Sequence, residues 1–238
     1  MKTEKVKALF ISDTHIGSKH SNCDQLMEVL RQYSPERLYL VGDFIDGWRL
    51  QKRHYWEQSN TNVIRKILSY TKHGTEVFYV IGNHDDFMRQ YDELNFGLIT
   101  ITEEVEYDGF LITHGDRYDG VVKLRWLGKL GGIGYEYAMG IDRSLKKLGL
   151  RRSLSHLLKT KVKDAVKFIT DFENELARQA INRGCRGVIC GHIHKPEDKT
   201  IHGIRYLNCG DWIENNSYII HTMEGDYVLR YYVHRHFA

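Results

Sequence analysis

The chain has 238 residues, 42% hydrophobic and 27% charged, with 2 prolines and a formal net charge of +3. That is ordinary for a globular protein with a sizeable core, and too weakly basic to imply a nucleic-acid partner through charge alone. Cys23, Cys185, Cys190 and Cys209 form no C-x-x-C pair, which argues against a zinc ribbon or thioredoxin-type site. The N-terminus has too short an apolar stretch for a signal peptide, and no run approaches the ~18 apolar residues needed to span a bilayer. A reduced, cytosolic chain is the expectation.

Short apolar runs alternate with amphipathic segments. Residues 7–12 ("KALFIS") read as a strand, Cys23 to Tyr33 as a helix, and 37–42 ("RLYLVG") as a second strand. A helix from Tyr55 to His73 stops at Gly74, and 76–82 ("EVFYVIG") is a third strand. This strand–helix rhythm predicts right-handed crossovers and a largely parallel sheet. Residues 103–115 read as a hairpin turning at Asp108-Gly109. A helix-rich region follows from Tyr118 to Arg183, then a buried strand at 186–191. Two hairpins, 200–210 and 217–234, turn at His202-Gly203 and Gly225-Asp226, so the C-terminal portion is expected to be antiparallel. The whole, 1–238, reads as one α/β domain with α+β character, carrying an insertion at 118–168.

A polar cluster directly follows each of five predicted strands. They are "SDTHIG" with Asp13 and His15, "GDFIDGW" with Asp43 and Asp46, "GNHDD" with Asn83, His84, Asp85 and Asp86, "THGD" with His114 and Asp116, and "GHIHKP" with His192 and His194. Any one of these could be a polar turn. Together they point to a shared pocket, because functional sites in α/β sheets form where strand C-termini converge. Carboxylates and imidazoles without a thiolate are ligands for Mn, Fe or Zn. Two such ions can clamp the attacking and leaving oxygens of a phosphoryl transfer, with one carboxylate bridging them, and Asp43 sits where the bridge is needed.

In that order the five blocks resemble the calcineurin-like metallophosphoesterases, and they cover most of the chain. The resemblance implies a four-layer αββα sandwich of two mixed sheets. It also implies two divalent ions, Mn first with Fe or Zn as alternatives. Asp13, His15, Asp43 and His194 would hold one ion, and Asp43, Asn83, His114 and His192 the other. A water acidified by both metals would attack, His84 would protonate the leaving group, and Asp85 would orient His84. Asp46 and Asp116 are read either as supporting residues or as turn residues. "GDFIDGW", "HGD" and "GHIHKP" look further like the branch that hydrolyses UDP-2,3-diacylglucosamine to UMP and a lipid monophosphate during lipid A synthesis. His84 departs from that branch's best-described members, which carry Arg there, and follows the wider superfamily.

Residues 142–168 combine nine Lys/Arg residues, among them Lys161, Lys163 and Lys167, with interleaved leucines and valines. The segment reads as a lid over a diphosphate lipid or as a contact with an anionic membrane surface, with a plain surface helix as the alternative. The expected substrate contacts are therefore Asn83, His84, His192, Lys161, Lys163 and Lys167. The expected partner is a nucleotide-linked glycolipid or another phosphoester, with no nucleic acid. The expected place is the cytoplasm or the inner face of the membrane. A phosphoesterase of other or broad specificity and a non-catalytic scaffold stay open at this point, as does the oligomeric state.

Overall fold

The structure is a computed structural model. It describes residues 3–119 and 151–233, with the backbone alone for 151–165. By backbone contacts the chain divides into two units: Met1–Asp116 with Leu176–Ala238, and Arg117–Glu175. The first holds every described strand. In the second, the described part is a 3₁₀ turn at Asp116–Tyr118 and most of helix α4 (Arg151–Asn182), where Thr170 Oγ donates to the Val166 carbonyl. Residues 120–150, where much of the predicted insertion falls, lie outside the described residues. No described helix is long and apolar enough to cross a membrane.

One sheet has seven strands in the order β12-β11-β1-β2-β3-β5-β4. In it β1 (Glu4–Ile11), β2 (Tyr33–Val41), β3 (Glu76–Val80) and β5 (Ile99–Thr102) run parallel. β4 (Asn95–Phe96), β11 (Ser217–His221) and β12 (Tyr227–Tyr231) pair antiparallel at its two margins. The other sheet has the order β6-β7-β8-β10-β9. Its members are β6 (Glu104–Tyr107), β7 (Phe110–Thr113), β8 (Gly187–Cys190), β9 (Glu197–Ile201) and β10 (Ile204–Asn208). Both sheets are mixed.

The central strands are buried on both faces, so their sequences are continuous apolar runs rather than alternations. In β1 and β2, Val6, Leu9, Ile11, Leu38 and Leu40 join the core around α1 (Cys23–Gln32) and α3 (Gln58–Lys72), with Leu26, Leu30, Val63 and Ile67. Their neighbours Ala8, Phe10, Tyr39 and Val41 point the other way, onto Phe110, Ile112, Ile189 and Leu207 of the second sheet. Leu176, Ala177 and Ala180 at the end of α4 are fully buried and supply the fourth layer.

The structure departs from the sequence reading in four places. β2 begins at Tyr33 and contains Pro35, although it is an interior strand. Pro35 is tolerated because β3 pairs only from Arg37 onward, which leaves the missing N–H off the ladder. The predicted helix from Tyr55 starts at Gln58, and a separate short helix, α2 (Gly47–Lys52), precedes it. β4 and β5 were unexpected. The C-terminal portion is also not wholly antiparallel, because β10 pairs in parallel with β8. The turn dipeptides hold, with Asp108 and Gly109 at φ 48° and 73° and His202 and Gly203 at 50° and 85°.

Candidate metal centre

Backbone hydrogen bonds knit the five strand exits together. Asp13 N donates to Gly42 O (3.1 Å), His15 N to Asp43 O (2.9 Å) and Ile16 N to Phe44 O (2.9 Å), carrying the β1–β2 pairing past the strand ends. His84 N donates to Asp43 Oδ1 (2.7 Å) and His192 N to Asp13 Oδ2 (2.9 Å). Gly191 N reaches His114 O at 3.3 Å. Each cluster is thus anchored to at least one other.

The side chains converge accordingly. His194 Nε2 lies 3.2 Å from Asp13 Oδ1 and 3.3 Å from His15 Nε2. His114 Nε2 lies 3.4 Å and His15 Nε2 3.9 Å from Asp43 Oδ2. The His114 and His192 rings are 5.0 Å apart. Two groups, Asp13–His15–His194 and Asp13–Asp43–His114, each bring their ligand atoms within 4.8 Å of one another, and His15–Asp46–His84 forms a third.

Glycines make room for this crowding. A Cβ at Gly191 would meet Ser12 Oγ at 1.8 Å and Asp13 Oδ2 at 2.3 Å, and one at Gly82 would meet Asp43 Oδ1 at 2.3 Å. The backbone is also held in an unusual conformation. Asp13, His15, Asp43, His192 and His194 all have φ between 46° and 72°, in the left-handed region that non-glycine residues seldom occupy. Strain of that kind persists where the surroundings over-determine it, and its concentration here points to function.

The donors fit a divalent cation. Asp13 Oδ1, Asn83 Oδ1 and His114 Nε2 are buried and make no well-formed hydrogen bond, Asp13 and His114 having only ionic contacts at 3.2 and 3.4 Å, a costly arrangement that bound cations would relieve. His114 Nδ1 donates to the Val41 carbonyl at 3.0 Å, which aims Nε2 at Asp43 and makes it the nitrogen that would ligate a cation. Burial alone would raise the Asp13 and Asp43 carboxyls, but the neighbouring histidines, His114 foremost, hold both well below the usual range. Burial would lower His194, yet Asp13 pushes it up to about 9, and Asp43 and Asp13 hold His114 well above its ordinary value. Without a cation, protons on the imidazoles balance the carboxylates.

His84 is part-buried at the edge of this centre. Its Nδ1 lies 3.0 Å from Asp46 Oδ1, its Nε2 4.0 Å from Asp43 Oδ2, and Trp48 packs on its ring at 4.3 Å. Burial would lower its pKa, but the Asp46 carboxylate raises it. The expected orienter, Asp85, does not touch His84. It accepts hydrogen bonds from Phe44 N (2.9 Å), Tyr79 Oη (2.7 Å) and Gly82 N (2.6 Å), fastening the β2 and β3 exits to each other. Burial and the Asp43 charge push its carboxyl up to about 6. The physical reason is reach, since Asp85 turns inward under the loop while Asp46 caps α2 by accepting from Arg49 N and faces the imidazole.

Two residues that gave no signal in the sequence brace the centre. Ser12 Oγ sits 2.5 Å from Asp13 Oδ2, and Asn215 Nδ2 donates to the His194 carbonyl at 3.0 Å, bracing two candidate ligands. Asp116 pairs with Arg89 at 2.6 Å, away from His84. Cys209 is fully buried and burial raises its thiol, so it is packing rather than a nucleophile. Lys167 is exposed, and the side chains of Lys161 and Lys163 lie outside the described residues.

Carboxylates, imidazoles and one amide, gathered at the exits of two packed mixed sheets, define a metal-dependent hydrolase of phosphoesters. The chain belongs to the calcineurin-like phosphoesterase family, whose model matches residues 6–196. Among its relatives, a UDP-2,3-diacylglucosamine hydrolase of Porphyromonas gingivalis is 27% identical, covering 90% of this chain and 93% of that protein. One of the same name from Neisseria meningitidis serogroup C is 28% identical over 92% and 95%. A solved structure of an archaeal phosphodiesterase aligns with a TM-score of 0.43 at 15% identity, over 94% of this chain and 98% of its own. That last likeness is too distant to bear on substrate.

Proposed function

We propose that this phosphoesterase uses two divalent cations to cleave the diphosphate of UDP-2,3-diacylglucosamine, releasing UMP and the lipid monophosphate. The reaction type is carried by the three buried donor atoms at the converged strand ends that make no well-formed hydrogen bond. The substrate is supported by relatives of that name, which align over nearly their full length. Asp13, His15, Asp43 and His194 would hold one cation, and Asp43, Asn83, His114 and His192 the other, with Mn favoured and Fe or Zn compatible. When bound, the cations supply charge stabilisation and acidify water. His84, kept in one tautomer by Asp46, protonates the departing oxygen. Asn83 and His192 steady the phosphoryl group. The protein works in the cytoplasm, at the inner membrane face where its lipid resides, with the basic helix as the element that meets substrate or membrane.

Purified protein with Mn²⁺ and UDP-2,3-diacylglucosamine should release UMP; intact substrate under those conditions would overturn the assignment. A second reading, a phosphodiesterase or phosphatase of broader range, draws on the cavity itself. Its volume is about 200 Å³, room for a diphosphate and little more, so this cavity does not itself select for acyl chains. Equal efficiency on soluble nucleotides would favour that reading.

A further inference from the structure

The cavity over the candidate centre is lined mainly by carboxylates and imidazoles, an unwelcoming surface for a second phosphate. One permanent cation among the described lining residues breaks that pattern, Arg49. It sits in the first turn of α2, whose position is fixed by the bonds from Arg49 N and Leu50 N to Asp46. Its side chain is 56% exposed, and its one ionic contact among the described residues runs from Nε to Asp46 Oδ2 at 3.3 Å. The two terminal nitrogens of the guanidinium donate to no described residue. An exposed pairing of this kind contributes little to stability. Asp46 also has partners enough without it, namely His84 Nδ1 at 3.0 Å and His15 Nδ1 at 3.7 Å.

We infer that Arg49 is the anchor for the phosphoryl group that is not attacked, and so sets a preference for diphosphates over monoesters. The inference rests on the proposed reaction and deepens it. Guanidinium presents a planar fork that matches two phosphate oxygens at once, and its two terminal nitrogens here are unengaged. Through Asp46, which both contact, it lies one residue away from His84, and both line the same cavity. Its distal charge offsets Asp43 and Asp46 where the second phosphate must pass.

The test compares wild type, Arg49→Ala and Arg49→Lys, all loaded with Mn²⁺ and checked for equal metal content. Arg49→Ala should raise KM for UDP-2,3-diacylglucosamine about tenfold, the scale of one lost charge-assisted bidentate contact. Its kcat/KM for nitrophenyl phosphate, a monoester, should stay within about twofold, and Arg49→Lys should recover part of the diphosphate loss. In a separate binding arm, calorimetry with the methylene-bridged analogue of UDP against UMP should show the same selective weakening. Equal losses on both substrates, or no loss on either, would overturn the inference. If no variant turns over any substrate, the proposed function falls and the calorimetry alone decides the role of Arg49.

Discussion

The two ends of β7 carry polar clusters of similar composition and opposite character. Before the strand, Asp108 takes hydrogen bonds from the Arg186 guanidinium and from Tyr227 Oη, while Tyr107 Oη bonds His221 Nδ1 at 2.9 Å and His221 stacks on Tyr227. After it, His114 enters a crowd of carboxylates and imidazoles in which buried donor atoms make no well-formed hydrogen bond. Both clusters contain Asp, His and left-handed backbone. What separates them is satisfaction: the first cluster closes on itself and joins the sheets, whereas the second is held open by the surrounding strands. Unmet valence at a rigid position separates a site from a staple more reliably than residue type does.

Substitutions can break that contrast. Asp43→Ala should cut hydrolysis by about 10³-fold or more, on the scale of a lost charge-stabilising group, with metal content falling in parallel. Retained metal and turnover would refute the bridging role. Because His114 holds the Asp43 carboxyl well below the usual range and His84 N donates to it, its removal should also lower the thermal stability of the metal-free protein. His84→Ala should lower kcat by roughly 10²–10⁴-fold while metal content holds. Asp46→Asn should cost about 10–100-fold, the range for a group that orients another. Asp85→Asn should instead act on the fold, costing about 1–3 kcal/mol through its three donors, and chemical denaturation would measure it. If Asp85→Asn abolished turnover and Asp46→Asn did not, the orienting roles would revert to the sequence expectation. At the other end of β7, Tyr227→Phe should cost about 0.5–1.5 kcal/mol and leave turnover unchanged.

The pH response sharpens the contrast further. His194 binds its proton more tightly folded than unfolded, from an ordinary 6.5 to about 9. In metal-free protein its contribution is complete below about pH 6.5 and is lost as pH rises through about 9. A cation must displace that proton, so apparent metal affinity should climb across the same window and then level off. Titration with Mn²⁺ at several pH values measures it, and a flat profile would exclude His194 as a ligand.

The buried central strands were legible because burial on both faces leaves an unbroken apolar run, as in "LFI" and "LYLV". The candidate ligands were legible because each follows such a run. Helix α2 was not, since six residues set no periodicity and its start depends on the Asp46 cap. β5 was missed because "ITIT" is only partly buried and sits near the sheet margin. The mistaken role for Asp85 has a related cause. Adjacent side chains in an irregular loop diverge, so sequence neighbours of His84 were poor guides to its contacts, while Asp46, from another strand exit, reached it.

The hydrogen bonds from Asp13, His15 and Ile16 to the β2 exit carry the pairing past the strands, as far as Ile16 on one side and Phe44 on the other. In solution those amide protons should exchange with deuterium as slowly as the core of β1, by whole-molecule unfolding rather than local fraying. The loop bearing two candidate ligands would then be among the last parts of the chain to open, and a cation leaving the centre would find the same cradle waiting on its return.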